Sequence, residues 1–171
     1  MIKPKYACPL PFNHMAIRPD GKILPCCVYR WDEVPEDLNI DYSDPFNHPF
    51  MKNLRDKMSK DVYVDGCKEC YNKEEFGNQS FRQLVLDKQE QFGATSLENG
   101  TQPELTYIDL SISNTCNNKC RMCNPGLSTS WYSDAKKLGM QIPKGIVKNP
   151  FIENTDFSKL KFIKFLENVS K

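Results

Sequence analysis

Two stretches in the first seventy residues carry clear signals for regular structure. Residues 15–17 and 22–24 are mostly apolar and flank Pro19-Asp20-Gly21. Proline presets φ for a turn and glycine accepts a positive φ, so this stretch predicts a β-hairpin that ends at Cys26 and Cys27. Pro49 can open a helix through Lys60, with one apolar face made by Phe50, Leu54 and Met58.

The chain after this helix alternates between turn signals and helical periodicity. Residues 62–64 and the turn at Asp65-Gly66 lead to Cys67 and Cys70. From Ser80 to Phe92 the apolar residues recur with a helical period, and they are Phe81, Leu84, Val85 and Phe92. This segment is therefore predicted to be a helix.

The second half of the chain has the pattern of a β/α protein. Residues 105–113 alternate, with Ile108, Leu110 and Ile112 on one face and Asp109, Ser111 and Ser113 on the other. Residues 128–138 suit a helix, and residues 160–166 suit a buried strand. Strand, loop, helix and strand predict the opening of a βαβ series with a parallel sheet.

These elements predict two domains. Residues 1–92 form a small cysteine-rich α+β domain, built from a hairpin and helices. Residues 93–103 are rich in Gly, Ser, Thr and Asn, which predicts a linker. Residues 104–171 form the beginning of an α/β domain.

Composition excludes several classes of function. The net charge of the 171-residue chain is +1 and its basic residues are scattered, which argues against a nucleic-acid partner. No apolar stretch is long enough to cross a bilayer, and the first residues lack the pattern of a secretory signal, so we expect a cytoplasmic protein without a membrane partner. Eight cysteines in a reducing compartment more often bind metal or do chemistry than form disulfides.

Three of the cysteines form a C-x3-C-x2-C run directly after the alternating strand, namely Cys116, Cys120 and Cys123. Thiolates this closely spaced can occupy three corners of one compact cluster. A structural zinc site needs four ligands, and a [4Fe–4S] cluster normally takes four cysteines. Three cysteines therefore leave one iron open for a ligand that is not protein.

This run resembles the hallmark of the radical S-adenosylmethionine (SAM) superfamily, which lies in the loop after the first barrel strand. The resemblance implies that Cys116, Cys120 and Cys123 bind three irons while SAM chelates the fourth. One electron, supplied by a reductant such as flavodoxin or ferredoxin, would cleave SAM to a 5′-deoxyadenosyl radical that abstracts hydrogen from a peptide or protein substrate. No catalytic residue is assigned, because the cofactor does the hard chemistry.

The same resemblance assigns cofactor-binding residues around the loop. Met122 stands where the family most often has an aromatic residue beside the adenine, and methionine is a polarizable substitute. Ser113 is the last residue of the predicted strand, and Asn114 follows it directly. Because active sites of β/α barrels form at the carboxyl ends of the strands, both are expected to line the cofactor site.

The earlier cysteines carry a second resemblance. Cys8, seventeen intervening residues, Cys26 after the hairpin, and then Cys67 and Cys70 resemble the twitch domain, a shorter relative of the SPASM domain. In that family these four positions bind an auxiliary [4Fe–4S] cluster. The module usually follows the radical SAM core and here precedes it. Cys27 is left over, as either a buried thiol or an alternative ligand.

Zinc is the alternative at these four cysteines, because a C-x2-C pair with two further cysteines also satisfies a tetrahedral Zn site. The downstream C-x3-C-x2-C run favours iron. His14 and His48 are expected to be packing or surface residues, since four cysteines complete the site without them.

Only 68 residues, 104–171, are available for the predicted barrel. A β/α barrel typically needs about 250, so the sequence predicts a barrel truncated after about two strands. The Gly-Gly-Glu segment that ends the second strand in the radical SAM family is absent here. The isolated chain is therefore expected not to turn over SAM, and a non-catalytic zinc- or cluster-binding module is the alternative function.

Overall fold

The computed structural model of the protein describes residues 5–88, 91, 103–111, 113–140, 142 and 167. In these ranges it has three strands and five α-helices. The strands are β1 (His14–Ile17), β2 (Ile23–Leu24) and β3 (Tyr107–Leu110). The helices are α1 (Leu10–Asn13), α2 (Pro49–Ser59), α3 (Lys68–Glu75), α4 (Phe81–Asp87) and α5 (Tyr132–Lys137). The fold is a small mixed arrangement of helices around one three-stranded sheet.

The predicted hairpin is confirmed. Strands β1 and β2 pair antiparallel, with Ala16 opposite Leu24. The turn between them has Gly21 at φ 84°, a left-handed conformation that glycine adopts without strain. The backbone N–H of Arg18 donates to the carbonyl oxygen of Lys22 at 2.9 Å and closes the turn.

Strand β3 joins this hairpin, which the sequence pattern did not indicate. The sheet order is β2-β1-β3, and β3 runs parallel to β1 with Met15 opposite Ile108 and Ile17 opposite Leu110. As predicted, Ile108 and Leu110 share a face and pack against the core, while Ile112 lies outside the described residues. The strand predicted for the second domain therefore extends the sheet of the first.

Helix α2 begins at Pro49 as predicted, and it ends at Ser59. The Nδ1 of His48 accepts the backbone N–H of Phe50 at 3.1 Å and caps the helix. Its buried residues are Met51, Leu54, Arg55 and Met58. Phe50, which was predicted to share the core face, is half-buried, and its ring meets the edge of Tyr29 at a centroid distance of 6.0 Å.

Helices α4 and α5 correspond to two further predictions. Helix α4 begins after Ser80, which forms a capping box with Gln83, whereas Phe92 lies outside the described residues. The predicted helix over residues 128–138 is observed as a 3-10 turn, Thr129–Trp131, followed by α5. The linker up to residue 102 and the strand over residues 160–166 lie outside the described ranges, so the domain boundary and the partial barrel stay predictions.

The hydrophobic core lies between the sheet and helix α2. Its most deeply buried apolar side chains come from the hairpin, from α2 and from the chain between them, and include Met15, Ile17, Ile23, Leu38, Met51 and Met58. Arg55 is buried beside this core and ties two segments to α2. Its guanidinium donates to the carbonyl oxygens of Pro11 at 3.1 Å and Phe46 at 2.9 Å. In the part of the chain that the structure describes, no helix combines the length and apolar character needed to span a membrane.

Candidate metal centre

Four cysteines from separate parts of the chain line one cavity. Cys8 precedes α1, Cys26 follows β2, and Cys67 and Cys70 lie at the start of α3. Cys8 and Cys70 are buried, and Cys26 and Cys67 are half-buried. The rest of the lining is mostly apolar and consists of Leu10, Val28, Tyr29, Phe81 and Arg82. The structure thus brings together the four cysteines that were selected by the resemblance to the twitch domain.

Burial and neighbouring cysteines raise the pKa values of three of these thiols. Burial is the main cause that raises the pKa of Cys8 to about 12, and the charges of Cys67 and Cys70 raise it further. Burial likewise raises the pKa of Cys67 to about 12, with contributions from Cys26 and Cys70. The pKa of Cys26 lies well above its usual value, because of burial first and then Cys8. The thiols of Cys8, Cys26 and Cys67 are therefore protonated near neutral pH, and only a strongly bound cation can displace these protons.

The position of Cys67 and Cys70 follows from a tight turn. Residues Asp65–Cys67 form a 3-10 turn in which the Cys67 N–H donates to the carbonyl oxygen of Val64 at 2.9 Å. Helix α3 follows at once, so Cys70 lies nearly one helical turn after Cys67 and faces the same side. Gly66 lies against the ring of Tyr29, where an added methyl group would overlap the ring atoms.

Cys8 is held by a clamp on the three residues before it. The carboxylate of Asp61 accepts the backbone N–H groups of Lys5 at 3.0 Å and of Tyr6 and Ala7 at 2.7 Å. Burial disfavours the Asp61 charge, but the three N–H donors outweigh it and lower the pKa of this carboxyl group. Asp61 has a φ of 53°, a left-handed conformation that aspartate tolerates better than most residues.

Two further side chains complete this clamp by donating hydrogen bonds to carbonyl oxygens of the same segment. The hydroxyl of Tyr71 donates to the carbonyl oxygen of Tyr6 at 3.0 Å. The Nη1 of Arg82 donates to the carbonyl oxygen of Ala7 at 2.9 Å. Both donors come from helices that border the cavity, so α3 and α4 fix the backbone that presents Cys8.

The two histidines were predicted to be packing or surface residues; His14 packs in the interior, and His48 has a capping role that was not predicted. His14 is only 1% exposed; its Nδ1 lies 3.0 Å from the carbonyl oxygen of Pro25, and its ring packs on Tyr107 at a centroid distance of 4.7 Å. His48 caps α2. Cys27 is exposed and is not among the residues that line the cavity. Partial burial of the thiol raises the pKa of Cys27, and the charge of Asp109 in β3 raises it further.

The second set of cysteines lies in one loop between β3 and α5. Cys116 and Cys123 are half-buried and Cys120 is exposed. The Cys123 N–H donates to the carbonyl oxygen of Cys120 at 2.9 Å, which makes a turn between these two ligand candidates. The hydroxyl of Ser130 donates to the carbonyl oxygen of Cys116 and ties the start of the loop to the turn before α5.

The three predicted cofactor-binding residues have different surroundings. Met122 is 97% exposed. Ser113 is exposed, and its hydroxyl accepts the backbone N–H of Thr115 at 3.0 Å. Asn114 is buried, and its side-chain amide donates to the hydroxyl of Tyr132 at 2.9 Å. Asn114 thus anchors the loop to α5, and Met122 lies at the outer surface of the loop.

In the described ranges, no group of three or more His, Cys, Asp or Glu side chains is arranged to hold a metal ion. The thiols of Cys8, Cys26, Cys67 and Cys70 nevertheless surround one cavity. Four thiols around one cavity can bind a single zinc ion or the separate metal atoms of a cluster.

Several residues of this centre could not be found by inspecting the sequence. Asp61 and Arg82 carry charges at positions that look like ordinary helix-end and helix-surface residues. Arg82 offers one weak signal, because it lies three residues before Val85 and so shares its buried helix face. Gly66 was recognised as a turn residue, but its contact with Tyr29 depends on a fold that local pattern does not reveal.

Comparison with known families agrees with this geometry. Residues 8–71 match the family model of the SPASM domain, which is described as an iron-sulfur cluster-binding domain. The matched range begins at Cys8 and ends one residue after Cys70, so it contains all four cysteines of the cavity. No curated protein and no solved structure matches the chain.

Proposed function

We propose that the SPASM domain of this chain holds a [4Fe–4S] cluster through Cys8, Cys26, Cys67 and Cys70. One observation carries the proposal: these four cysteines, which three separate segments supply, line a single cavity. Unrelated buried thiols have no reason to converge in this way.

The chemistry of the donors fits an iron–sulfur cluster. The cavity is lined by four thiols and otherwise by apolar groups, except for the hydroxyl of Tyr29 and the guanidinium of Arg82. Thiolates are the usual protein ligands of such clusters. The guanidinium adds a positive charge beside sulfur atoms that become negative when they bind metal. The match to a family described as an iron-sulfur cluster-binding domain favours a cluster over a single zinc ion.

The residues of the chain have defined tasks at this site. When bound, the cluster supplies one-electron transfer. Leu10, Val28 and Phe81 line the cavity with apolar surface and keep water from the sulfur ligands. Asp61, Tyr71 and Arg82 hold the backbone before Cys8, and the turn at Gly66 places Cys67. The protein thus fixes the ligands before any metal arrives.

We further propose that Cys116, Cys120 and Cys123 bind a second [4Fe–4S] cluster whose open iron takes SAM. The support is the C-x3-C-x2-C spacing in a loop that directly follows β3. The SAM-bound cluster supplies reductive cleavage of SAM for hydrogen abstraction from a peptide or protein substrate, with flavodoxin or ferredoxin as reductant. Asn114 and Ser130 anchor the loop, and its exposed face leaves room for SAM. Eight cysteines without a disulfide suit a cytoplasmic setting.

The cluster assignment is tested by counting metal and sulfide in three versions of the full chain. After anaerobic reconstitution we expect about eight irons and eight labile sulfides per wild-type chain. Replacement of Cys67 and Cys70 by Ala removes about half, and replacement of Cys116, Cys120 and Cys123 by Ala removes the other half. Zinc without labile sulfide in the wild-type chain contradicts the proposal and supports a non-catalytic zinc module.

The SAM assignment is tested by asking which set of cysteines responds to SAM. With the reduced protein, SAM is expected to change the electron paramagnetic resonance spectrum of the Cys67→Ala/Cys70→Ala variant. It is expected to leave unchanged the spectrum of the variant that lacks Cys116, Cys120 and Cys123. A response of the second variant alone contradicts the assignment of SAM to the C-x3-C-x2-C loop.

A further inference from the structure

A buried ion pair lies beside the first set of cysteines, outside the range that matches the SPASM domain. Arg82 of α4 is only 4% exposed and lines the cavity with the four thiols. Its partner is Glu74 of α3, whose side chain is 15% exposed. A buried pair of this kind is weak evidence for a role in stability alone, because desolvation offsets much of the attraction.

The guanidinium of Arg82 has a fixed orientation. Its Nε donates to Oε1 of Glu74 at 3.0 Å, and its Nη2 donates to Oε2, so the two planes meet through two parallel bonds. Oε1 of Glu74 also accepts the hydroxyl of Ser80 at 2.5 Å. Nη1 of Arg82 reaches the carbonyl oxygen of Ala7, one residue before Cys8.

Arg82 is the member of this pair that borders the cavity, whereas Glu74 is not among the residues that line it. The charge of Arg82 lowers the pKa values of the Cys8 and Cys67 thiols, although burial raises both more strongly. A group bound by the four cysteines therefore has the cation as its neighbour and the carboxylate behind it.

We propose that Arg82, with Glu74 as its counter-charge, positions Cys8 and raises the reduction potential of the cluster held by Cys8, Cys26, Cys67 and Cys70. This inference rests on the proposed function, since it requires a cluster in that cavity. Arg82 is a positioning residue that acts through charge and through the backbone of Ala7.

The direction of the effect follows from electrostatics. One electron from dithionite reduces the bound cluster, and no bond forms or breaks and no proton moves. The reduced form carries one more negative charge, so a nearby cation stabilises it more than the oxidised form. Loss of the Arg82 charge therefore lowers the potential. Neutralisation of Glu74 removes a negative charge near the cluster and therefore raises the potential.

The experiment uses the full chain with Cys116, Cys120 and Cys123 replaced by Ala. Only a cluster bound by the first set of cysteines then contributes to the measured potential. Midpoint potentials are measured by anaerobic titration with dithionite and ferricyanide. Arg82→Gln is expected to lower the ratio of reduced to oxidised cluster about tenfold at a fixed potential, a shift of about 59 mV. Glu74→Gln is expected to raise this ratio, and Arg82→Lys is expected to keep it within about threefold of the parent.

The outcomes separate this inference from the proposed function. Shifts of opposite sign for Arg82→Gln and Glu74→Gln support the inference, because a merely structural defect has no reason to change sign. If Arg82→Gln fails to hold iron, the result of Glu74→Gln alone decides. The inference is overturned if the variants hold full iron and sulfide but the midpoint potential of Glu74→Gln does not shift. It is also overturned if the potentials of both variants shift in the same direction. Either result leaves the proposed function intact. A parent chain without iron and sulfide overturns the proposed function, and this inference with it.

Discussion

The two sets of cysteines differ in how the protein places them. Cys8, Cys26, Cys67 and Cys70 come from three segments and meet in one largely apolar cavity inside the core. Cys116, Cys120 and Cys123 come from eight consecutive residues and lie in one loop with Cys120 exposed. The first set depends on the fold, whereas the second depends on local spacing.

This difference shows how much of each site is positioned by folding, before any metal binds. At the first site the hairpin, α3, α4 and the Asp61 clamp fix the ligands, so most of the ordering entropy is lost on folding. At the second site the backbone is anchored through Asn114 and Ser130, but the sulfur atoms remain near solvent. Under the proposed function, metal and SAM would complete the second site, whereas folding brings the cysteines of the first site together around one cavity.

The largest expected difference between the two sites appears when each set of cysteine ligands is removed and the unfolding of the chain is measured. Replacement of Cys67 and Cys70 by Ala in the reconstituted full chain is expected to destabilise it by more than about 3 kcal/mol, because metal affinity contributes directly to folding of such a core. The thermal midpoint should fall by at least about 10 °C. Calorimetry or circular dichroism measures this change.

The matched control is the replacement of Cys116, Cys120 and Cys123 by Ala. It removes as many irons but should change the midpoint of the main transition by less than about 3 °C. Equal destabilisation by the two sets of substitutions would show that the second loop is as much a part of the folded core as the first cavity.

A smaller effect is expected from one added methyl group at the first site. Gly66→Ala places its methyl group inside the ring of Tyr29. The ring must move, which should destabilise the protein by about 1–3 kcal/mol and lower its iron content at the first site. Denaturant titration and iron analysis measure both effects.

Gly139→Ala is the control in the second region. Among the described residues, apart from those adjoining it in the chain, none has an atom within 4 Å of a methyl group added there, so the expected cost comes from the positive φ of 66°. We expect about 1 kcal/mol of destabilisation and no loss of iron at the first site. Gly66→Ala with wild-type stability would mean that Tyr29 does not pack against this turn.

The smallest effect concerns the carboxylate that clamps the segment before Cys8. Asp61→Asn keeps a residue that tolerates a positive φ but removes the charge that accepts three N–H groups. At pH 7 we expect a loss of about 1 kcal/mol, reduced by solvent exposure of the side chain. Asp134→Asn, which only releases the exposed Lys119 in the second loop, should have no measurable effect on unfolding.

The Asp61→Asn variant is also expected to differ from the wild type in how its stability depends on pH. The pKa of Asp61 is lower in the folded protein than its usual 3.8, so its contribution is present above that value and is lost as the pH falls through the folded pKa. Unfolding measured from pH 6 down to pH 3 should therefore show a smaller acid-dependent loss in Asp61→Asn than in the wild type. Parallel curves for the two proteins would remove Asp61 from the account of the first site.

Local signals in the sequence predicted much of the fold. The hairpin, α2, β3 and α5 follow from turn residues and from apolar periodicity, and these signals act within about ten residues. The partner of β3 could not be predicted, because pairing between residues 14–17 and 107–110 leaves no local pattern. The face of α2 was only partly predicted, since Phe50 and Met51 are both apolar and packing against Tyr29 and the core decides between them.

The residues of the candidate site also divide into those that were predicted from the sequence and those that only the folded structure reveals. The positions of the cysteines, together with the resemblance to the twitch domain, selected Cys8, Cys26, Cys67 and Cys70. Asp61, Glu74 and Arg82 were missed, because charged residues are common at every helix end and surface. Their roles depend on the direction in which each side chain points after folding, and only the structure supplies this information.

The most direct test of the central claim is native mass spectrometry of the full chain with Cys116, Cys120 and Cys123 replaced by Ala, after reconstitution with iron, sulfide and an equal amount of zinc. The account predicts one species whose added mass equals four irons and four sulfides, as expected for a [4Fe–4S] cluster. A species with one added zinc and no sulfide, or a chain with no added mass, would contradict the claim that the four cysteines of the cavity hold an iron–sulfur cluster.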